Sequence, residues 1–141
     1  MSSKATEIYE SILKLVPDLP ELQPGAYRRY RSGSLMDLSL DVLNIDTSGG
    51  EAEITIALAH NYLHPSGDLI PDPDMEIRIF LGRRFAEALS YQDSYCYRVV
   101  YEAQGCANTR ELEGQNDFLL SWLRNIIAQG YRLIEQRDND E

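Results

Sequence analysis

Two hydrophobic periods divide the chain and predict helices toward its two ends with strands between them. Near the start, Ile8, Ile12, Leu15 and Val16 share one face at helical spacing, with Tyr9 and Leu13 beside it. A helix over residues 6–16 follows, with Thr6 as N-cap, Glu7 near the positive end of the dipole and Pro17 as the stop. Prolines 17, 20 and 24 and Gly25 make the next stretch a loop. From Leu35 the period changes to two. Met36, Leu38, Leu40 and Val42 take one parity against Asp37, Ser39 and Asp41, which reads as a strand with one wet face. The turn Thr47-Ser48-Gly49-Gly50 leads into Ile54, Ile56 and Leu58, completing a hairpin.

A proline- and aspartate-rich loop is expected over residues 64–74, followed by a strand in which Met75, Ile77, Ile79 and Leu81 alternate with polar neighbours and Phe80. Residues 83–90 suit either a helix or a strand paired through a turn at Gly82-Arg83. Tyr95–Tyr101 is β-rich, and Tyr27–Arg31 could be a further strand. The clearest element is a helix over residues 111–129, with Leu119, Trp122, Leu123, Ile126 and Ile127 facing the sheet and Gly130 as the C′ residue. Leu133 and Ile134 either extend that helix or begin an extended segment. The expected class is α+β: an antiparallel meander of five to six strands, with an N-terminal helix and a long C-terminal helix packed on it.

With 141 residues the chain fits one domain over residues 1–141, its acidic tail (137–141) disordered, and 43% hydrophobic residues suffice for a core. The formal charge of −10 repels nucleic acid and anionic membranes and favours basic partners, or none. The N-terminal segment lacks the apolar run of a signal peptide, and no apolar run spans a bilayer. Cys96 and Cys106 are expected to be free thiols in a reducing cytoplasm, although a cross-hairpin disulfide is geometrically possible.

Candidate chemistry is sparse. His60 and His64 are the only histidines, and on a continuous strand they would stand about 13 Å apart, too far for one ion. Asp68, Asp72, Asp74 and Glu76 form an acidic cluster, but Pro71 and Pro73 hold it extended, so no metal site is expected there. Tyr27-Arg28-Arg29-Tyr30-Arg31 is the one basic, aromatic-interleaved patch; it can hold phosphate and stack a base, or simply pair with the acidic surface. Tyr91, Tyr95, Tyr97 and Tyr101 share one parity, as sheet packing or as a protein-binding face. Phosphate loops, H-E-x-x-H and G-x-S-x-G are absent.

The segment Pro73-Asp74-Met75-Glu76-Ile77-Arg78-Ile79-Phe80, followed by Ala86-Glu87, resembles the middle of the bacterial YqiB-like family. Asn116-Asp117-Phe118-Leu119-Leu120-Ser121-Trp122-Leu123-Arg124, with Ala128 and Gly130 after it, is similar to that family's C-terminal pattern. The resemblance implies the same helix–sheet–helix plan. It supplies no catalytic residues and no cofactor, and residues 60–72 are richer in His and Asp than the family pattern.

The reading is of a cytoplasmic bacterial interaction or regulatory module without catalysis or cofactor, a monomer or weak homodimer with an unidentified protein partner. One alternative is nucleotide or phosphometabolite binding or hydrolysis through Arg29, Arg31, His60, Asp72 and Arg78. Another is an acidic imitation of nucleic acid.

Overall fold

In a computed structural model, residues 3–63, 65–102 and 105–138 are described. His64 and residues 139–141 of the acidic tail lie outside them. The first helix, α1 (Lys4–Leu15), begins earlier than the periodicity suggests. Ser3 is its N-cap and accepts a hydrogen bond from the Thr6 N–H, so Thr6 sits inside the first turn. The chain then makes a short 3-10 turn at Leu19–Glu21 within the proline-rich stretch.

Seven strands follow: β1 (Tyr27–Arg31), β2 (Asp37–Asp46), β3 (Glu53–Leu63), β4 (Leu69–Phe80), β5 (Phe85–Gln92), β6 (Tyr97–Val99) and, after the second helix, β7 (Arg132–Arg137). They form one antiparallel sheet in the order β6-β5-β4-β3-β2-β1-β7. The α+β class holds, but the sheet has seven strands rather than five to six. The meander ends at β6, and β7 returns to pair with the outer edge of β1. Arg137 therefore belongs to a strand, and Asp138 accepts a hydrogen bond from Arg28 at 3.4 Å, so the start of the acidic tail is anchored.

Of residues 83–90, 83 and 84 form the turn and the rest are strand, because Ala86 and Ala88 alternate inward, fully buried where the helices cross β5. The expected loop 64–74 is shorter, since β4 already pairs from Leu69. Three register shifts keep the apolar residues on one side. The shift between Val42 and Asn44 turns Leu43 out (49% exposed) and returns Ile45 to the parity of the core, opposite Ile54. The shift at Leu89 carries Tyr91 to the helix face, opposite Met75. A third lies between Ala59 and Asn61.

The second helix, α2 (Thr109–Ala128), starts at the N-cap Asn108, whose side chain accepts from the Glu111 N–H at 3.1 Å, and is followed by Gly130 at φ 73°. Leu119, Trp122, Leu123 and Ile126 are buried as the periodicity predicts. Ile127, expected beside them, is 37% exposed, because α2 shares the sheet with α1 and its stripe is narrower than for a helix lying alone. Both helices pack on one face, over Leu38, Leu40, Ile56, Leu58, Ile77 and Ile79, and contact each other. Asn116 Oδ1 accepts from the Ala88 N–H at 2.8 Å, so α2 also satisfies a backbone donor of β5.

Leu123→Ala should cost about 2–5 kcal/mol, and Ile127→Ala under about 0.5 kcal/mol. Urea denaturation of the two variants checks the contrast; equal losses would contradict the helix orientation.

Candidate functional site

The sheet's second face carries neither helix, and only near β4 and β5 does the segment after β6 reach it, through Tyr101. Strand pairing aligns its side chains in rows. One row runs Tyr27, Asp41, Ala57, Glu76, Ser90 and Val99; the next runs Arg29, Ser39, Ala59, Asp74, Gln92 and Tyr97. The centre is a floor of small side chains, Ser39, Ala57 and Ala59, beside the carboxylates Asp41, Asp74 and Glu76. None of these three has a salt-bridge partner among the described residues. Burial, with the negative charges of Glu76 and Asp41 next, raises the Asp74 carboxyl above the ordinary range. Burial raises Asp41 as well, offset in part by Arg137. Among the described residues no three His, Cys, Asp or Glu side chains converge as metal ligands would.

The arginines of β1 occupy the margin and are already paired. Arg31 grips Asp37 with two hydrogen bonds of 2.8 Å, and this contact holds the Asp37 carboxyl below its usual range. Arg29 pairs with Glu135 at 3.0 Å and lies 3.8 Å from Asp37. Arg28 points to the opposite face, where it is buried and held by Asp18 and Asp138. The basic patch thus divides between the two faces by strand alternation. Arg78 lies on β4, three strands across and four residues along from Arg29, about 20 Å away. It binds Glu87 at 2.7 Å and lies over the Tyr101 ring at 4.9 Å, while the Tyr101 hydroxyl donates to the same carboxylate. Asp72 accepts from the Ser94 hydroxyl at 2.6 Å. Arg29 and Arg31 therefore meet around Asp37, while Asp72 and Arg78 stand apart from them.

His60 belongs to the helix side. The Trp122 Nε1–H donates to its Nδ1 at 3.1 Å, and its Nε2 lies 3.2 Å from the Tyr131 oxygen. Tyr131 gives its one proton to the Met36 carbonyl at 2.6 Å, so His60 must carry its hydrogen on Nε2 and donate to Tyr131. All three rings are satisfied with a neutral imidazole. A second proton on Nδ1 would face the indole N–H, and burial already lowers the His60 pKa.

The tyrosine parity also divides. Tyr91 packs edge-on against Phe118, Tyr97 lies on the open face, and Tyr95 is 95% exposed, because the turn between β5 and β6 interrupts the strand. Cys96 and Cys106 are free thiols. The sequence reading missed the grouping of Asp41 with Asp74 and Glu76. The outward parity of Asp41 was its visible signal, but the cross-strand register that joins them was not.

An antiparallel sheet covered on one side by two helices and open on the other, with a charged floor, defines a small α+β domain. Residues 10–132 match the family described as domain of unknown function DUF6908, and the chain belongs to it. Comparison with curated proteins and with solved structures finds no match. Among the described residues no helix is long and apolar enough to cross a membrane. The family match does not tie the chain to the YqiB-like family, so that resemblance rests on its two sequence segments alone.

The neutral His60 sets a pH dependence. As pH falls below about 6.5 the unfolded chain takes up this proton before the folded one. Stability should decline from there and level off beneath the lowered folded pKa. His60→Gln, which can accept from Trp122 and donate to Tyr131, should flatten that part of the profile in urea titrations between about pH 7 and 5. An unchanged slope would refute the neutral assignment.

Proposed function

We propose that this protein is a non-catalytic interaction module, acting in the bacterial cytoplasm, that presents its open sheet face to a basic segment of a partner protein. The observation that carries this reading is the group Asp41, Asp74 and Glu76 around the floor of Ser39, Ala57 and Ala59. Like charges held close together, with Asp74 half-buried among them, cost the free protein stability, and a guanidinium or ammonium laid among them relieves that cost. The small floor leaves room for the stem of a long cationic side chain. The chain's charge of −10 steers such a partner toward it. Arg29, Arg31 and Arg78 already engage carboxylates, which weakens the phosphate-holding alternative at these positions.

The sign of the carboxylate shifts separates a binding role from a structural one. A carboxylate with a raised folded pKa disfavours the fold when ionised, so Asp41→Asn/Asp74→Asn should raise the urea midpoint at pH 7. The same double variant should bind a nona-arginine peptide about tenfold more weakly in fluorescence polarisation. Glu10→Gln/Glu21→Gln, with the same net charge but altered on the helix side, should bind as the wild type does. Equal weakening by both pairs would show a charge effect without a site and defeat the reading.

A further inference from the structure

A separate cavity of about 320 Å³ opens on the helix side, between the first half of α2 and strands β5 and β6. Its size falls at the lower end of small-molecule sites. Tyr91 and Phe118 line one part, their rings edge-on with centroids 5.3 Å apart. Arg98 and Arg110 line another part. The Arg98 guanidinium lies 5.4 Å from the Tyr91 ring centre and 3.5 Å from Glu111. Arg110 has no acidic partner among the described residues. Two guanidiniums against one carboxylate leave the cavity locally positive in a strongly acidic chain.

Two observations show that the cavity is incomplete as it stands. Gln115 lines it at 3% exposure. Its Nε2 donates to the Arg98 carbonyl at 3.2 Å and to Glu111 Oε1 at 3.0 Å, which fixes the amide orientation. Its Oε1 is then left buried without a donor. A buried acceptor of this kind is costly unless something donates to it. The second observation is Gly114, in the interior of α2 and in the same lining. A Cβ there would meet nothing within 4 Å, and the backbone is not left-handed, so neither packing nor conformation requires glycine. Glycine weakens a helix interior relative to alanine. Its presence keeps the cavity open.

We propose that this cavity binds a planar nitrogen heterocycle carrying a phosphate, the chemistry of a nucleoside monophosphate. The heterocycle packs against Tyr91 and Phe118 and gives an N–H to Gln115 Oε1. The phosphate lies between Arg98 and Arg110, which match its charge and geometry. All four common bases carry an N–H donor, so this contact selects for a heterocycle rather than for one base. The site lies across the sheet from the acidic face and does not depend on the function assigned to that face.

Thermal unfolding of the full chain tests the proposal with adenosine, guanosine, cytidine and uridine monophosphates at millimolar concentration, against the parent nucleosides and inorganic phosphate. At least one monophosphate should raise the melting temperature, by more than its nucleoside or inorganic phosphate does. Gly114→Leu should abolish that rise by filling the cavity. Gly114→Ala should leave the unliganded protein roughly 2–8 °C more stable, showing that the helix tolerates a side chain at this position. Arg110→Ala should weaken binding about tenfold without lowering the unliganded melting temperature. No rise with any monophosphate, an equal rise with inorganic phosphate, or a rise that survives Gly114→Leu would each overturn the assignment.

Discussion

Both helices lie on the same face of the sheet, and most other features of the molecule follow from that one-sided burial. A sheet covered on one side must send most of its large apolar side chains to the covered side. The shifts at Leu43 and Leu89 serve this demand, since each adds a residue where simple alternation would have turned Ile45 or Tyr91 to the other side. The helices in turn divide the sheet between them. α1 brings Ile8 and Ile12, α2 brings Leu119, Leu123 and Ile126, and the alanines of β5 give both room to approach. The buried Trp122 could not enter this layer without a partner for its indole N–H, and His60 supplies one.

The same constraint separates structural polar groups from available ones. Polar residues on the covered side are tied down: His60 between two rings, Asn116 to the β5 backbone, Arg28 to two aspartates. On the open side the margin is neutralised by ion pairs along β1 and β7, while the central carboxylates are not. Gln115 is the exception on the covered side, a buried amide with half of its hydrogen-bonding capacity unused. Polar groups held at a cost to the fold are where ligands and partners are most reasonably sought.

Most of the element plan was legible in the sequence because it rests on periodicity. The alternation in β2, β3 and β4 and the stripe of α2 were readable residue by residue. The less legible parts depend on non-local pairing. β7 carries Leu133 and Ile134, both exposed, so it has no buried face to announce it; it is a strand because β1 offers a free edge. Residues 83–90 looked ambiguous because alanine favours helices in isolation and suits a strand only where a helix must come close. The charged patch Tyr27–Arg31 was visible as composition, but its division between two faces needed the strand. The carboxylate group needed the register of three strands at once. Gly114 and Gln115 stood in plain view as breaks in the apolar stripe of α2, but a helical wheel does not show what lies opposite them.

The pairing of β7 with β1 also bears on how the chain is made. In chain order β1 precedes β7 by the whole meander and a helix, so this edge of the sheet stays open until β7 has emerged. The meander from β1 to β6 can assemble in order, each strand beside its predecessor, but only α1 can cover its apolar face until α2 emerges. Only then can β7 close the outer edge of β1 and bring Asp138 to Arg28. A nascent chain stalled between β6 and α2 would expose both an unpaired strand edge and a partly uncovered hydrophobic sheet, the two surfaces most prone to wrong association. Helix α2 and strand β7 thus act as the clasp of the fold, and their emergence marks the point at which the domain can first close.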